Sequence, residues 1–273
     1  MRESIVASAV EWSTEWATEG LISEPDLYLY TAVLMAVATL GFLVWTLQLS
    51  TRRRRYGVAA AYVTFVLCLA YVGMSTGTIR IESQAGQPVP ATRFIAYLFS
   101  VSVILWLLTR VGEVGRFGTV GVFVAFLALL GGTISSWFLT EPLAYGSNAV
   151  SLLSLLLIAY ALLGPGAQDA RATTPERHLL FSKLRNLLLL AWISYLIVGL
   201  VSRQGLGLLD AFVGIFIGTY IDVLLHVGFG ALLLRHGDAL DQLSRGTGTE
   251  SQSTDDPSTA VSVEPAGATD ASE

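Results

Sequence analysis

An aspartate and a histidine stand four residues apart in an otherwise apolar stretch, YIDVLLHVGFGALLLRH, residues 220 to 236. On a helix, Asp222 and His226 share one face, about 6 Å apart along the axis. At that spacing the carboxylate can accept a hydrogen bond from the imidazole or pair with imidazolium, offsetting part of the cost of burying either group. Tyr71 and Tyr195 could bring two hydroxyls to them, and Trp192 lies three residues before Tyr195 on the same helical face. A metal centre would need further ligands, and the other histidines, His178 and His236, fall near the ends of apolar stretches. A Ser-His-Asp hydrolase would need an activated serine and an oxyanion hole as well, and this stretch supplies neither. No catalytic and no metal-binding residue is assigned. A proton relay or a ligand pocket is the functional reading of such a pair. A self-satisfied polar pair that ties helices together is the plain structural one.

The elements that hold these groups are membrane helices. The chain is 53% hydrophobic and 14% charged, with a mean hydropathy of +0.62, whereas a soluble domain carries about 25% charged residues. Seven apolar blocks, near 27–50, 57–77, 93–110, 117–139, 143–164, 179–202 and 207–235, have the length that crosses about 30 Å of hydrocarbon. The sequence therefore predicts an all-α, multi-pass cell-membrane protein, a bundle of seven transmembrane helices. Basic residues set the orientation. Arg52, Arg53, Arg54, Arg55, Arg110, Arg116, Arg171, Arg177, Lys183, Arg185, Arg235 and Arg245 lie on one side, 12 of the 16 basic residues. That side is cytoplasmic, with the N-terminus outside and the C-terminus inside. Arg2, Arg80, Arg93 and Arg203 lie on the outer side.

Three regions are distinguished. Residues 1–25 form an extracellular extension with Ile5, Ala9, Trp12 and Trp16 at helical spacing, read as a short interfacial helix anchored by its tryptophans. Residues 26–236 are the membrane domain. Residues 237–273 are rich in Ser, Thr, Gly, Asp and Glu and are read as a disordered acidic cytoplasmic tail. The loop IRIESQAGQPVPAT, 79–92, combines alternating residues with a Gly-Gln-Pro turn and predicts a small outer β-hairpin. Cys68 is the single cysteine, a packing residue that excludes an intramolecular disulfide. Fifteen of the 16 basic residues are arginine and Lys183 is the only lysine, which with the acidic tail and net charge of −5 fits a salt-adapted source.

Ionisable groups inside hydrocarbon are costly and functional by default. Asp222 and His226 lie well inside the seventh span, and Arg93 begins the third. The others sit at span ends, where snorkelling accounts for them.

The last span, D222-V-L-L-H226-V-G-F-G230-A-L-L-L-R235, resembles the last helix of the archaeal microbial rhodopsins, or bacteriorhodopsin-like opsins, where the pattern is Asp, three residues, Lys, then Val-Gly-Phe-Gly. K183-L-R185-N186 followed by W192-I-S-Y195 resembles that family's sixth helix, and P88-V-P-A-T-R93-F-I-A96-Y97-L98-F99-S100 its third. A70-Y71-V-G-M74 resembles part of the second. The resemblance spans residues 26–236.

In that family the last-helix lysine binds retinal as a Schiff base, and the matching residue here is His226. An imidazole gives no stable imine with an aldehyde, because a primary amine is required. Lys183 belongs to the cytoplasmic start of the sixth span, so covalent retinal is excluded within the bundle. The resemblance further implies that the lost counterion carboxylate corresponds to Ala96, the cytoplasmic proton donor to Leu107, the outer release glutamates to Gln204 and Gly214, and the third-span tryptophan to Tyr97. The fifth-span tryptophan pair corresponds to Ser147 and Asn148, and the sixth-span proline and second tryptophan to Leu196 and Gly199. The resemblance keeps Arg93, Tyr71, Trp192, Tyr195 and Asp222 around the chromophore site, with Asp222 free to pair with His226 or Arg93.

The candidate cofactor-binding set is thus His226, Asp222, Tyr195, Trp192, Tyr97, Tyr71, Arg93 and Ala96. The expected function is that of a rhodopsin-family membrane protein that is not an enzyme and not a conventional light-driven pump. It would act in regulation, by noncovalent binding of retinal or another isoprenoid, or by association with itself or another membrane protein. A light-independent proton or ion pathway through Arg93, Asp222 and His226 is the alternative. The lipid bilayer is its surrounding partner, and no nucleic-acid partner is expected.

Overall fold

Each apolar block folds as a helix. The computed structural model describes residues 23–79, 81–83, 86, 88–201 and 207–249. Helices α1 (Glu24–Gln48), α2 (Thr51–Ser75), α3 (Ala91–Val111), α4 (Arg116–Ser136) and α5 (Leu143–Leu163) follow one another. The short α6 (Pro165–Arg171) extends α5, and α7 (Pro175–Val201) and α8 (Ala211–Arg235) complete the bundle. A further helix, α9 (Gly237–Thr249), follows α8. Among the described residues, seven helices, α5 and α6 counting as one, are long and apolar enough to cross a membrane. The seven-helix architecture agrees with the sequence reading. So does the outer hairpin, in which β1 (Ile81–Glu82) pairs antiparallel with β2 (Pro88–Val89), Ile81 opposite Val89.

Local chemistry sets the helix starts. Ser23 caps α1, its hydroxyl accepting from the Asp26 amide while the Asp26 carboxylate accepts from the Ser23 amide at 3.3 Å. These bonds satisfy donors that a helix N-terminus otherwise leaves open. Asp210 does the same for α8, accepting from Phe212 N at 3.1 Å.

Packing between the helices relies on small and hydroxyl-bearing residues, as expected where lipid removes the hydrophobic drive between spans. Thr31, Thr39 and Thr46 line the buried face of α1, each hydroxyl returned to the carbonyl four residues before it. Thr39 also meets Thr64 of α2 at 2.9 Å. Gly230 in the V-G-F-G run lets α8 approach α1, because a Cβ there would lie 2.6 Å from Phe42 Cε2 and 3.2 Å from Ala60 Cβ. Gly230→Ala is therefore expected to cost about 1–3 kcal/mol, read as a lower melting temperature in detergent.

In ring order α1 touches α2 and α8, α2 touches α3 and α8, and α7 touches α8, α3 and α5. The third and last helices thus face one another's neighbours across the interior, and their polar residues can meet there. The cytoplasmic half of that interior is apolar, with Ile104, Leu107, Leu108, Leu184, Leu188, Leu225 and Phe229 all buried in one cluster. Leucines and valines such as Val37, Leu40, Leu153, Leu156 and Leu157 are exposed on the outside, where lipid would cover them.

Three expectations are corrected. Residues 237–249 do not begin a disordered tail. They form α9, with Ala239, Leu240 and Leu243 buried in the main core, because three apolar residues at helical spacing can be seated against the bundle. Arg52, Arg53, Arg54 and Arg55, which the sequence reading leaves ahead of a second span starting near 57, lie in the opening turns of α2. Arg177 does not snorkel. It is 7% exposed, and its guanidinium donates to the carbonyls of Arg110 and Val111 at 3.0–3.2 Å and pairs with Glu113. It closes the carbonyl end of α3, a polar demand that a helix C-terminus makes regardless of sequence pattern. Residues 1–22 of the extension read as an interfacial helix over 1–25, the tail beyond 249, and Gln204 lie outside the described residues, while Glu24 and Pro25 belong to α1.

Candidate functional site

The site is built where α2, α3, α7 and α8 converge on Asp222, whose side chain is 0% exposed. Its Oδ2 accepts from Tyr71 Oη of α2 at 2.6 Å and from Arg93 Nε of α3 at 2.8 Å. Its Oδ1 accepts from Tyr97 Oη of α3 at 2.6 Å and from Tyr195 Oη of α7 at 2.5 Å. A carboxylate has about four lone-pair positions, and all are filled by donors of the chain itself. Arg93 Nη2 also lies 2.7 Å from Oδ2, yet its angle leaves it without a hydrogen bond. The contact is ionic at Nη2 and hydrogen-bonded at Nε.

Arg93 fixes more than one partner. Its Nε reaches Tyr97 Oη at 2.7 Å, and its guanidinium carbon stands 5.6 Å from the ring centroids of both Tyr97 and Tyr195. Cation–π attraction and the ion pair therefore orient the same guanidinium. Tyr195 Oη also lies 3.2 Å from the Gly218 carbonyl.

His226 makes a different set of bonds from those expected. Its Nδ1 lies 2.9 Å from the main-chain carbonyl of Asp222, and its Nε2 lies 3.0 Å from Ser100 Oγ of α3. A carbonyl can only accept, so Nδ1 carries a proton, and in the neutral ring Nε2 then accepts from the serine hydroxyl. The expected carboxylate–imidazole bond is thus absent from this geometry. The i, i+4 spacing brings the ring to the helix backbone, while the carboxylate turns to four donors on other helices. Between the two options left open for Asp222, the structure takes Arg93.

The remaining candidate residues divide. Ala96 is buried beside Tyr71, Met35 and Ala70. The Tyr97 ring lies nearly parallel to His226, with centroids 6.3 Å apart and planes at 14°. Trp192 stands apart from the polar cluster in the apolar core and stacks on Phe126 of α4, 6.2 Å away at 2°. Sequence reasoning missed Ser100 and Phe126. Ser100 had a signal, a hydroxyl four residues beyond Ala96 on the same helical face, whereas Phe126 had none among many apolar neighbours. The string Gly73-Met-Ser75-Thr-Gly77 has G-x-S-x-G spacing but closes a helix, and Ser75 Oγ donates to the Val72 carbonyl at 2.9 Å. It has none of the strand-to-helix context that such a motif needs.

Lys183 is held at the cytoplasmic surface, its Nζ 3.0 Å from His236 Nε2. His236 caps α8 ten residues after His226, a rise of about 15 Å. The chain's only side-chain amine is therefore remote from position 226.

Residues 24–239 match the model of the bacteriorhodopsin-like protein family. The chain belongs to that family. Sensory rhodopsin-2 of Haloarcula vallismortis is 27% identical over 222 residues, 81% of this chain and 89% of that protein. Cruxrhodopsin-3 of the same organism is 29% identical over 231 residues, covering 77% and 88%. Among solved structures, the thermophilic rhodopsin of Rubrobacter xylanophilus superposes with a TM-score of 0.76 at 23% identity, over 82% of this chain and all of that one. Halorhodopsin, described as a light-driven chloride pump, superposes at 0.71 with 21% identity, over 81% and 97%. At that identity the structures speak for the fold. As a bacteriorhodopsin-like protein the chain is a multi-pass cell-membrane protein and not an enzyme.

Proposed function

We propose that this bacteriorhodopsin-like protein forms no retinal Schiff base and is not a conventional light-driven pump. It acts by binding, either of retinal or another isoprenoid held noncovalently or of a membrane partner, in a regulatory capacity. One observation carries this reading: the Asp222 carboxylate is saturated by Tyr71, Tyr97, Tyr195 and Arg93, and Arg93 already supplies the compensating charge. A protonated imine at position 226 would add a second positive charge facing a carboxylate with no acceptor site left. His226 supports the same reading, since it offers no primary amine and is itself bonded to Ser100.

The alternative, a light-independent proton or ion pathway, has its outer half in Arg93, Asp222 and His226. Among the described residues the hydrogen-bonded route ends at Ser100, below the apolar cluster of Leu107, Leu108, Leu188 and Phe229. That leaves the relay without steps toward the cytoplasm.

The test is reconstitution with all-trans retinal. Wild-type protein is expected to show no borohydride-reducible adduct, and any retinal retained through purification is expected to extract fully into hexane. A red-shifted, reducible band in the wild type would overturn the proposal. Proton flux in liposomes is expected to be the same for the wild type, Asp222→Asn and His226→Ala, and flux abolished by either substitution would favour the ion pathway.

A further inference from the structure

The apolar seat of α9 is matched by polar ties to two separate helices. Asp241 and Gln242 are consecutive, and each engages a different cytoplasmic helix end. Asp241 pairs through both carboxylate oxygens with Arg53 in the first turn of α2. Gln242 accepts from the Thr174 hydroxyl and donates to Glu176 Oε2 at 3.2 Å. Thr174 and Glu176 open α7, the Thr174 carbonyl accepting from His178 N at 2.9 Å. Gln242 thus joins two side chains at the start of a helix to which it does not belong.

The ties sit on a firm base. Ala239, Leu240 and Leu243 are buried in the same core cluster as Tyr56, Val111, Leu180, Leu184 and Leu233. The Arg53 guanidinium lies directly over Gly237, where a Cβ would force the end of that side chain to shift. The chain turns into α9 at His236, whose φ of −99° and ψ of 61° end α8. That residue is held on both ring nitrogens, Nδ1 by the Leu232 carbonyl at 2.8 Å and Nε2 by Lys183 at 3.0 Å. The direction in which α9 leaves the bundle is therefore fixed at its root.

We propose that α9 is a cytoplasmic strap: through the juxtaposition of Arg53 with Asp241, and of Thr174 and Glu176 with Gln242, it ties the end of α2 to the end of α7 and must detach before those ends can separate. Both α2 and α7 pack against α8, and α9 packs against α2 and α7, so the strap joins two neighbours of α8 at their cytoplasmic ends. The Arg53–Asp241 pair is partly exposed, at 26% and 33%, so molar salt screens it. The buried leucines then carry the hold, and the ions set the register. This device does not depend on whether a retinoid binds.

The test measures the distance between spin labels at Arg52→Cys and Leu179→Cys, in a Cys68→Ala background, by double electron–electron resonance. The full chain is expected to give one narrow distance. Leu240→Asp in the full chain, and a chain ended after His236, are both expected to broaden it and shift it outward. An unchanged distribution in the shortened chain would overturn the strap, since α9 is certainly absent there. A second measurement reads the Gln242 contacts without unseating α9. Gln242→Ala is expected to speed amide hydrogen exchange severalfold at residues 176–178, and unchanged exchange there would overturn the tie to α7.

Discussion

In Asp222→Asn, the stability of the detergent-solubilised protein is expected to fall by about 3–5 kcal/mol, the cost of breaking a buried ion pair from one side. Asparagine keeps the shape of the side chain, but it removes the charge and sets an amide NH2 in place of one oxygen that accepts from two donors. What remains is the Arg93 guanidinium, 14% exposed, facing three phenolic oxygens that cannot neutralise it. Arg93→Gln leaves the complementary defect, a fully buried carboxylate with only hydroxyl donors, and is expected to cost a similar amount. The decisive measurement is the cycle. The double variant Arg93→Gln/Asp222→Asn is expected to lose clearly less than the sum of the singles, because neither uncompensated charge is then left in the interior. Additive losses would show that the two residues act separately and that the site is not the closed ion pair described above.

The second large effect is a gain of chemistry. His226→Lys supplied with all-trans retinal is expected to yield a borohydride-reducible adduct where the wild type yields none, since an amine and an aldehyde condense with loss of water. The charge arrangement also predicts the colour. Asp222 is neutralised by Arg93, and position 96 carries a methyl group in place of a carboxylate. A protonated imine would be an uncompensated buried cation, so the adduct is expected to stay neutral and absorb in the near ultraviolet. Adding Ala96→Asp restores an anion one turn from Ser100 and is expected to move the band into the visible. A visible pigment in His226→Lys alone would contradict the saturated state of Asp222. Absence of an adduct in both variants would mean that Tyr97 beside residue 226, and the Trp192–Phe126 stack, fill the space. It would also remove the ligand-binding half of the proposed function.

The fold was legible because hydrocarbon imposes a simple rule. Every backbone group in lipid must be paired within its own helix, so block length and apolar content identify seven spans without knowledge of their partners. The basic residues gave the orientation in the same local way. The candidate residues were legible as a set for a related reason: a charge such as Asp222 or Arg93 in a span is costly, and only a converging group of polar residues can offset it. Spacing along one helix could not say which groups would pair. His226 is one turn from Asp222 in the chain, and proximity favoured their bond, but side-chain direction sent the imidazole to the backbone and the carboxylate to three other helices.

The same limit explains α9 and Arg177. A segment rich in Ser, Gly and Asp has few apolar residues, and whether Ala239, Leu240 and Leu243 become ordered depends on a seat made by Tyr56, Leu180 and Leu184 from distant parts of the chain. Arg177 lies at the edge of a span, where solvent is the default destination, until the carbonyl end of α3 presents acceptors from over 60 residues away. The sequence by itself determined a seven-helix member of the bacteriorhodopsin-like family, its orientation, and a polar centre at Asp222 with no amine beside it, because those follow from local composition and chemistry. Only the tertiary structure decided that Arg93 and three tyrosines saturate that carboxylate, that Ser100 takes the histidine, and that α9 spans two helix ends. Those pairings depend on distances between helices, and no periodicity within one helix encodes them.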